Sequence, residues 1–220
     1  MTVLVEAAVE SLDAALAAAE GGASRIELCA DLAHGGTTPS EQLLRNAKSR
    51  LKIPIFVLVR PRPGDFVYTN AEHHVMLGQI GQAKRAGAAG IVTGALTARE
   101  EIDQFPTAEL IAAARPLPVT FHRAFDECRD LPTALEQLIQ LGVDRLLTSG
   151  GAPTAAEGAD QIRSLVAQAK GRIAILPGGG ITPDNVARLV EQADVREVHF
   201  STKDSEKVRS VFRALKGRLG

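Results

Sequence analysis

Glu6, Glu27, Cys29, His122 and His199 all fall in short, apolar, β-branched runs. Residues two apart in an extended strand share a face. Glu27 and Cys29 therefore lie opposite Ile26 and Leu28, and Glu6 shares its face with Leu4. By the same parity Thr120 and His122 oppose Val119 and Phe121, while His199 and Ser201 oppose Val198 and Phe200. A lone strand histidine is usually a hydrogen-bonded core residue. Two glutamates, two histidines and the nearby Arg60 on one face are another matter, because each ion taken out of water costs several kcal/mol unless it is well paired. Such a group suits proton transfer, with Glu6 or Glu27 as general base, His122 as acid, and Asp126 orienting His122 where the next loop folds back. The plainer alternative is a buried Glu–Arg pair that pins the fold shut.

Other segments suit an anion. Arg60-Pro61-Arg62-Pro63-Gly64 holds two arginines two apart between prolines, a fork-shaped clamp or else a solvated basic turn. Arg123 follows His122, and Ser149 lies in Thr148-Ser149-Gly150-Gly151. Gly178, Gly179 and Gly180 precede a helix and expose backbone N–H groups suited to phosphate or carboxylate. A tight turn that needs small residues explains the same glycines. His34, beside Gly35-Gly36, sits in a loop near these groups. His73-His74 lies on a helix, where neighbours diverge by about 100° and make a poor metal pair, so a solvated surface is expected.

The elements that must position these groups alternate along the whole chain. Val3–Glu6, Arg25–Cys29, Ile55–Arg60, Gly90–Gly94, Val119–His122, Arg145–Thr148, Ile173–Leu176 and Glu197–Phe200 read as strands, with Ala-rich amphipathic stretches between them. Gly21-Gly22 and Gly142 stop helices, and Pro39-Ser40 opens one. About eight βα units at a spacing of roughly 25 residues, with no dinucleotide fingerprint, favour closure into an α/β (β/α)8 TIM barrel over an open sheet. No linker or low-complexity run divides residues 1–220, so one domain is expected. The strand face carrying the ionisable group then points into the barrel, where a purely structural filling would be Val, Ile and Leu.

Composition narrows the partners. The 25 basic and 26 acidic side chains nearly cancel, there is no Trp, and Tyr68 is the one tyrosine, so no nucleic-acid partner is expected. The first residues carry Glu6, Glu10 and Asp13 with no basic stretch, and no apolar run reaches membrane-spanning length. Neither a signal peptide nor a membrane partner is expected. Cys29 and Cys128 have no CxxC spacing, which suits a reduced, cytoplasmic protein.

Arg25-Ile-Glu-Leu-Cys29, Gly35-Gly-Thr-Thr-Pro-Ser40, Arg60-Pro-Arg62 with Gly64-Asp-Phe66, Thr120-Phe-His-Arg-Ala-Phe-Asp126, Leu147-Thr-Ser-Gly150 and Pro177-Gly-Gly-Gly-Ile181 together resemble the copper homeostasis protein CutC family, in order over essentially the whole chain. The resemblance implies a TIM barrel, a cytoplasmic and often homo-oligomeric protein, a role in copper tolerance, and Cu(I) as a ligand with Cys29 among its donors. Members proposed to bind copper carry a second cysteine two residues after the first-strand glutamate, where this chain has Ala8. Relatives also carry a longer loop after the last strand than Ser201-Thr202-Lys203-Asp204. Two functions stay open at this point: copper handling, and a lyase, isomerase or hydrolase acting on a small anionic, perhaps phosphorylated, metabolite.

Overall fold

A computed structural model describes residues 3–216. Eight parallel strands follow one another around a barrel: β1 (Leu4–Val9), β2 (Arg25–Leu28), β3 (Ile55–Leu58), β4 (Gly90–Thr93), β5 (Val119–Phe121), β6 (Arg145–Thr148), β7 (Ala174–Pro177) and β8 (Glu197–Ser201). β1 pairs with both β2 and β8, and a parallel bridge between Gly178 and His199 brings β7 to β8. The TIM barrel expected from strand–helix alternation is the fold observed.

Eight helices surround the strands: α1 (Leu12–Glu20), α2 (Glu41–Arg50), α3 (Asn70–Arg85), α4 (Gln104–Ala114), α5 (Leu131–Leu141), α6 (Ala159–Ala169), α7 (Val186–Ala193) and α8 (Ser205–Lys216). Their starts are written in side chains that satisfy the first free N–H groups. Ser11 accepts from the Ala14 amide, Ser40 from Leu43 and Asp130 from Thr133, while Thr69 and Glu72 form a reciprocal capping box. Ser40 is thus the cap of α2 and Pro39 precedes it, one step outside the first turn predicted for it. α5 runs to Leu141 and ends at Gly142, as predicted.

The main apolar core lies between the sheet and the helices, because outward strand residues such as Ile26, Val57, Ile91, Phe121 and Val198 meet helix residues such as Leu44, Ile80 and Leu135. A separate small cluster of Cys29, Phe56, Leu58 and Val92 fills the barrel itself. Below it the floor is ionic and aromatic. The Phe56 ring lies over Gly90, where a Cβ would come within 2.5 Å of it, so only glycine fits. Arg25 and Arg145 stack on Phe56 with their guanidinium carbons 4.8 and 5.4 Å from its centroid.

The connection from β8 to α8 is only Thr202–Asp204, the short loop expected from the sequence. Among the described residues, no helix is long and apolar enough to cross a membrane.

Candidate functional site

Strand parity sets the site in tiers. Glu6 is registered beside Arg25 of β2 and His199 of β8, so the three side chains project together into the barrel. Arg25 donates through Nε to Glu6 Oε2 and through Nη2 to Glu197 Oε2 at 2.8 Å, and Arg145 Nε reaches the same Glu197 oxygen at 2.8 Å. The other Glu6 oxygen meets His199 Nδ1 at 2.8 Å. Burial works against the charge on Glu6, but His199 and Arg25 outweigh it and hold the carboxyl down to about 2. Glu6 is therefore a fixed anion of the floor. Of the two glutamates offered as the base, it takes the structural part.

Glu27, one tier higher, is the opposite case. It is 5% exposed, its Oε2 has no hydrogen-bond partner, and the nearest cation is His199 Nδ1 at 4.0 Å. Burial pushes its carboxyl up to about 7; His199 and Arg25 pull it down and the Glu6 charge pushes it further up. His199 itself is raised: burial opposes its charge, and Glu27 and Glu6 overcome that.

His122, at the end of β5, is equally buried and has a defined tautomer. Its Nδ1 accepts from the Ala124 amide at 3.2 Å, which leaves the proton on Nε2, and Nε2 has no partner. Burial, then the charge of Arg60, holds the imidazole down to about 3, so it is neutral over the physiological range. Its ring packs on Phe66 at 4.9 Å. It also covers Gly94, where a Cβ would meet the ring at 2.8 Å.

Glu27, His122, Arg60, Arg123, Gly179 and Gly180 all line one cavity of about 390 Å³ at the C-terminal ends of the strands, with His199 at its wall. That volume is within the range of small-metabolite sites. Arg60 is held by three carbonyls, those of His34, Gly36 and Gly64 at 3.3, 3.0 and 2.6 Å, and lies over Phe66. Its Nε is buried without a partner. Arg123 is fixed by Asp126 through Nε and by Ser149 Oγ through Nη2, at 2.8 and 2.7 Å. Its remaining Nη1 lies 3.0 Å from where a Gly179 Cβ would stand. Gly179 and Gly180 both have left-handed backbone, φ +103° and +67°, which glycine adopts without strain.

Several predicted residues are placed elsewhere. Arg62 turns away from the cavity: its guanidinium is taken by Glu72, Asp65 and the Val67 carbonyl on the outer side of the loop, so the fork of two arginines does not form. Asp126 does not touch His122. Its carboxylate accepts from the Ser149 and Gly151 amides at 3.0 and 3.1 Å and from Thr148 Oγ1, as well as binding Arg123. An internal carboxylate thus occupies the loop after β6, and Ser149, which also donates to the Ala152 carbonyl at 2.6 Å, has nothing left for a ligand. The Gly178 amide goes to the Thr148 carbonyl at 2.9 Å, which leaves the cradle to Gly179 and Gly180. His73 is buried and bonded to Glu109 at 2.8 Å, unlike the solvated side chain expected, whereas His74 is exposed. His34 is exposed and paired with Asp31; only its carbonyl reaches the site.

Cys29 is buried, and its Sγ donates to the Val9 carbonyl at 3.3 Å. Burial and the charges of Glu27 and Glu10 push the thiol far above its usual range. Cu(I) selects soft thiolate or thioether donors. One protonated thiol, with Ala8 on the adjacent strand, does not fit it. Ligand atoms of Glu6, Glu27 and His199 lie within 4.8 Å of one another, but they are oxygen and nitrogen donors and Glu6 is already spent on Arg25.

Sequence reading did not single out Arg25, Arg145, Glu197 or Lys207. The first three share strand parity with Glu27, Leu147 and His199, which was the available signal. Lys207 reaches the cavity rim from α8, with Nζ on the Ser201 carbonyl at 2.8 Å and over the Phe200 ring; nothing in its local sequence marks it.

Fold and site together define a parallel (β/α)8 barrel with an acid–base and cationic mouth. The family model described as CutC family matches residues 3–204. A mouse protein named copper homeostasis protein cutC homolog is 49% identical over 96% of this chain and 77% of its own length. A CutC family protein of Vibrio campbellii is 44% identical over 100% of this chain and 90% of its own. The crystal structure of a CutC protein from Streptococcus agalactiae superposes with a TM-score of 0.87 at 34% identity, covering 90% of this chain and 98% of that one. The chain belongs to the CutC family.

Proposed function

We propose that this protein serves copper homeostasis, the role stated in the mouse relative's name, as a cytoplasmic homo-oligomer whose working part is the mouth cavity and whose ligand there is a small anion. The observation that carries this reading is the pair Glu27 and His122, two buried side chains that line one cavity and each hold a polar atom, Oε2 and Nε2, without a partner. Leaving such groups unsatisfied costs about 1–3 kcal/mol each, more for a charge. A barrel that needed only filling would put aliphatic side chains there. Arg123, Gly179, Gly180 and Arg60 give the same cavity its preference for negative charge. The near-neutral composition and two free thiols support the cytoplasm. Exposed Phe105 and Val75, on α4 and α3, support a contact between copies.

Copper enters this reading as the physiological setting and not as an ion on Cys29. The test joins binding to physiology. A thermal-shift screen of small phosphates and carboxylates is run on the protein and on Arg123→Ala. The same two proteins are then used to restore copper tolerance in a host lacking its own CutC-family protein. Stabilisation by an anion that falls at least tenfold in affinity in Arg123→Ala, with loss of complementation, is expected. Complementation by a folded Arg123→Ala protein that binds no anion would overturn the proposal.

A further inference from the structure

The disposition of the two unpartnered groups goes further than ligand binding. His122 cannot act as a base: Nδ1 is occupied by the Ala124 N–H, and Nε2 carries the proton. It lines the cavity as a neutral imidazole whose N–H has no partner, a donor suited to an oxygen that gains negative charge during a reaction. Glu27 offers a carboxylate oxygen free of any donor, in a setting where taking up a proton relieves the burial of charge. The third element is the seat made by Arg123 Nη1 with the left-handed Gly179 and Gly180, and the fourth is Arg60 over Phe66. Lys207, an amine at the rim, is engaged by the Ser201 carbonyl.

Resting on the small-anion reading above, we propose that the cavity enolises a phosphorylated hydroxy-aldehyde or hydroxy-ketone, with Glu27 as the base, the His122 Nε2–H on the carbonyl oxygen, and Arg123 with Gly179 and Gly180 on the phosphate monoester. The C–H bond next to the carbonyl breaks and its proton goes to Glu27. Its electron pair forms the C=C bond, and the carbonyl π pair moves onto the oxygen that His122 donates to. Return of the proton from Glu27 to the carbon it left restores the reactant; its delivery to the former carbonyl carbon, with the hydroxyl proton of the enediolate passing to the former carbonyl oxygen, gives the isomer, so no oxidant, reductant or second reactant is needed. Glu27 and His122 are catalytic residues in this scheme. Asp126 is a positioning residue, because it acts only through Arg123 and the loop after β6.

The experiment incubates the protein in D2O with dihydroxyacetone phosphate, ribulose 5-phosphate and fructose 6-phosphate, and with the unphosphorylated sugars, and follows the protons next to the carbonyl by NMR. Inorganic phosphate binding is measured by calorimetry on the same samples. Exchange is expected with at least one phosphorylated compound and not with its unphosphorylated counterpart. It should drop at least 100-fold in Glu27→Gln and in His122→Phe, while both variants stay folded and still bind phosphate. Arg123→Ala should raise KM with a smaller effect on kcat. Phosphate bound without exchange of any of the three overturns the enolisation and leaves the anion seat standing. Failure to bind phosphate, with wild-type protein folded, removes the seat and the small-anion reading with it. Borohydride trapping of the sugar on Lys207 would replace this chemistry by an imine.

Discussion

Asp126 binds Arg123, Oδ2 to Nε at 2.8 Å, and the same carboxylate accepts the Ser149 and Gly151 amides. One side chain therefore aims the cation of the mouth and also fills the anion-accepting loop beside it. Arg123→Ala should cost little stability, because its guanidinium is partly exposed, but should weaken anion binding about tenfold or more. Asp126→Ala should do both, lowering stability by about 2–4 kcal/mol as several charge-assisted bonds are lost together. Denaturant melts and phosphate titrations on the two variants separate the effects. Arg62→Ala serves as the control, with binding unchanged, since its partners Glu72 and Asp65 lie outside the cavity.

Glu6 and Arg25 form the buried pair that braces β1 against β2. Removing one partner strands the other, at a cost of about 3–5 kcal/mol. Arg25→Met should be the more severe change, because Glu197 loses a partner as well. Glu6→Gln with Arg25→Met should cost less than the sum of the singles in urea unfolding. Strict additivity would mean that the two act independently.

The ionisable groups make opposite demands on pH. The folded carboxyl of Glu6 is lowered to about 2, so its contribution is present above the unfolded value of 4.5 and fades as pH falls toward 2. Glu27 is raised to about 7, so the folded state binds its proton better, and stability falls as pH climbs from 4.5 to 7. Glu27→Gln should remove that decline and melt higher than wild type at pH 8, by about 2–4 °C for each kcal/mol gained. An unchanged profile across that window would show that Glu27 is already ionised in the fold.

His122, lowered to about 3, should remain the neutral Nε2–H tautomer at pH 6. Its stabilising effect is full above the unfolded value of 6.5 and is lost as pH falls toward 3. Long-range proton–nitrogen NMR reads this directly, and a midpoint near 6.5 would contradict it.

Cys29 should resist alkylation in the folded protein and react after unfolding. In anaerobic titration, Cu(I) should bind wild type no more tightly than Cys29→Ala. Clearly tighter binding by wild type would restore the thiol as a copper ligand.

The barrel was legible because alternation, β-branched runs and helix caps are local signals, and the short apolar runs fixed strand parity well enough to place Glu6, Glu27, His122 and His199 inside. Their partners were harder to see. Parity assigned Glu6 and Glu27 to the inner face, but which arginine meets which glutamate depends on the register of β1 against β2, a tertiary fact. The loops were hardest. Arg62 and Arg123 each follow a strand and each pairs with an Asp three residues on, yet Arg62 turns away from the cavity to Glu72 while Arg123 lines it. His73 was misplaced because its partner Glu109 comes from α4, beyond any local window.

Phe56, wedged over Gly90 with Arg25 and Arg145 stacked on its ring, seals the barrel from below. What lies above it is the cavity, open at the C-terminal rim of the strands. A ligand of this cavity would enter and leave by that rim, so a second molecule could not reach it from the floor side.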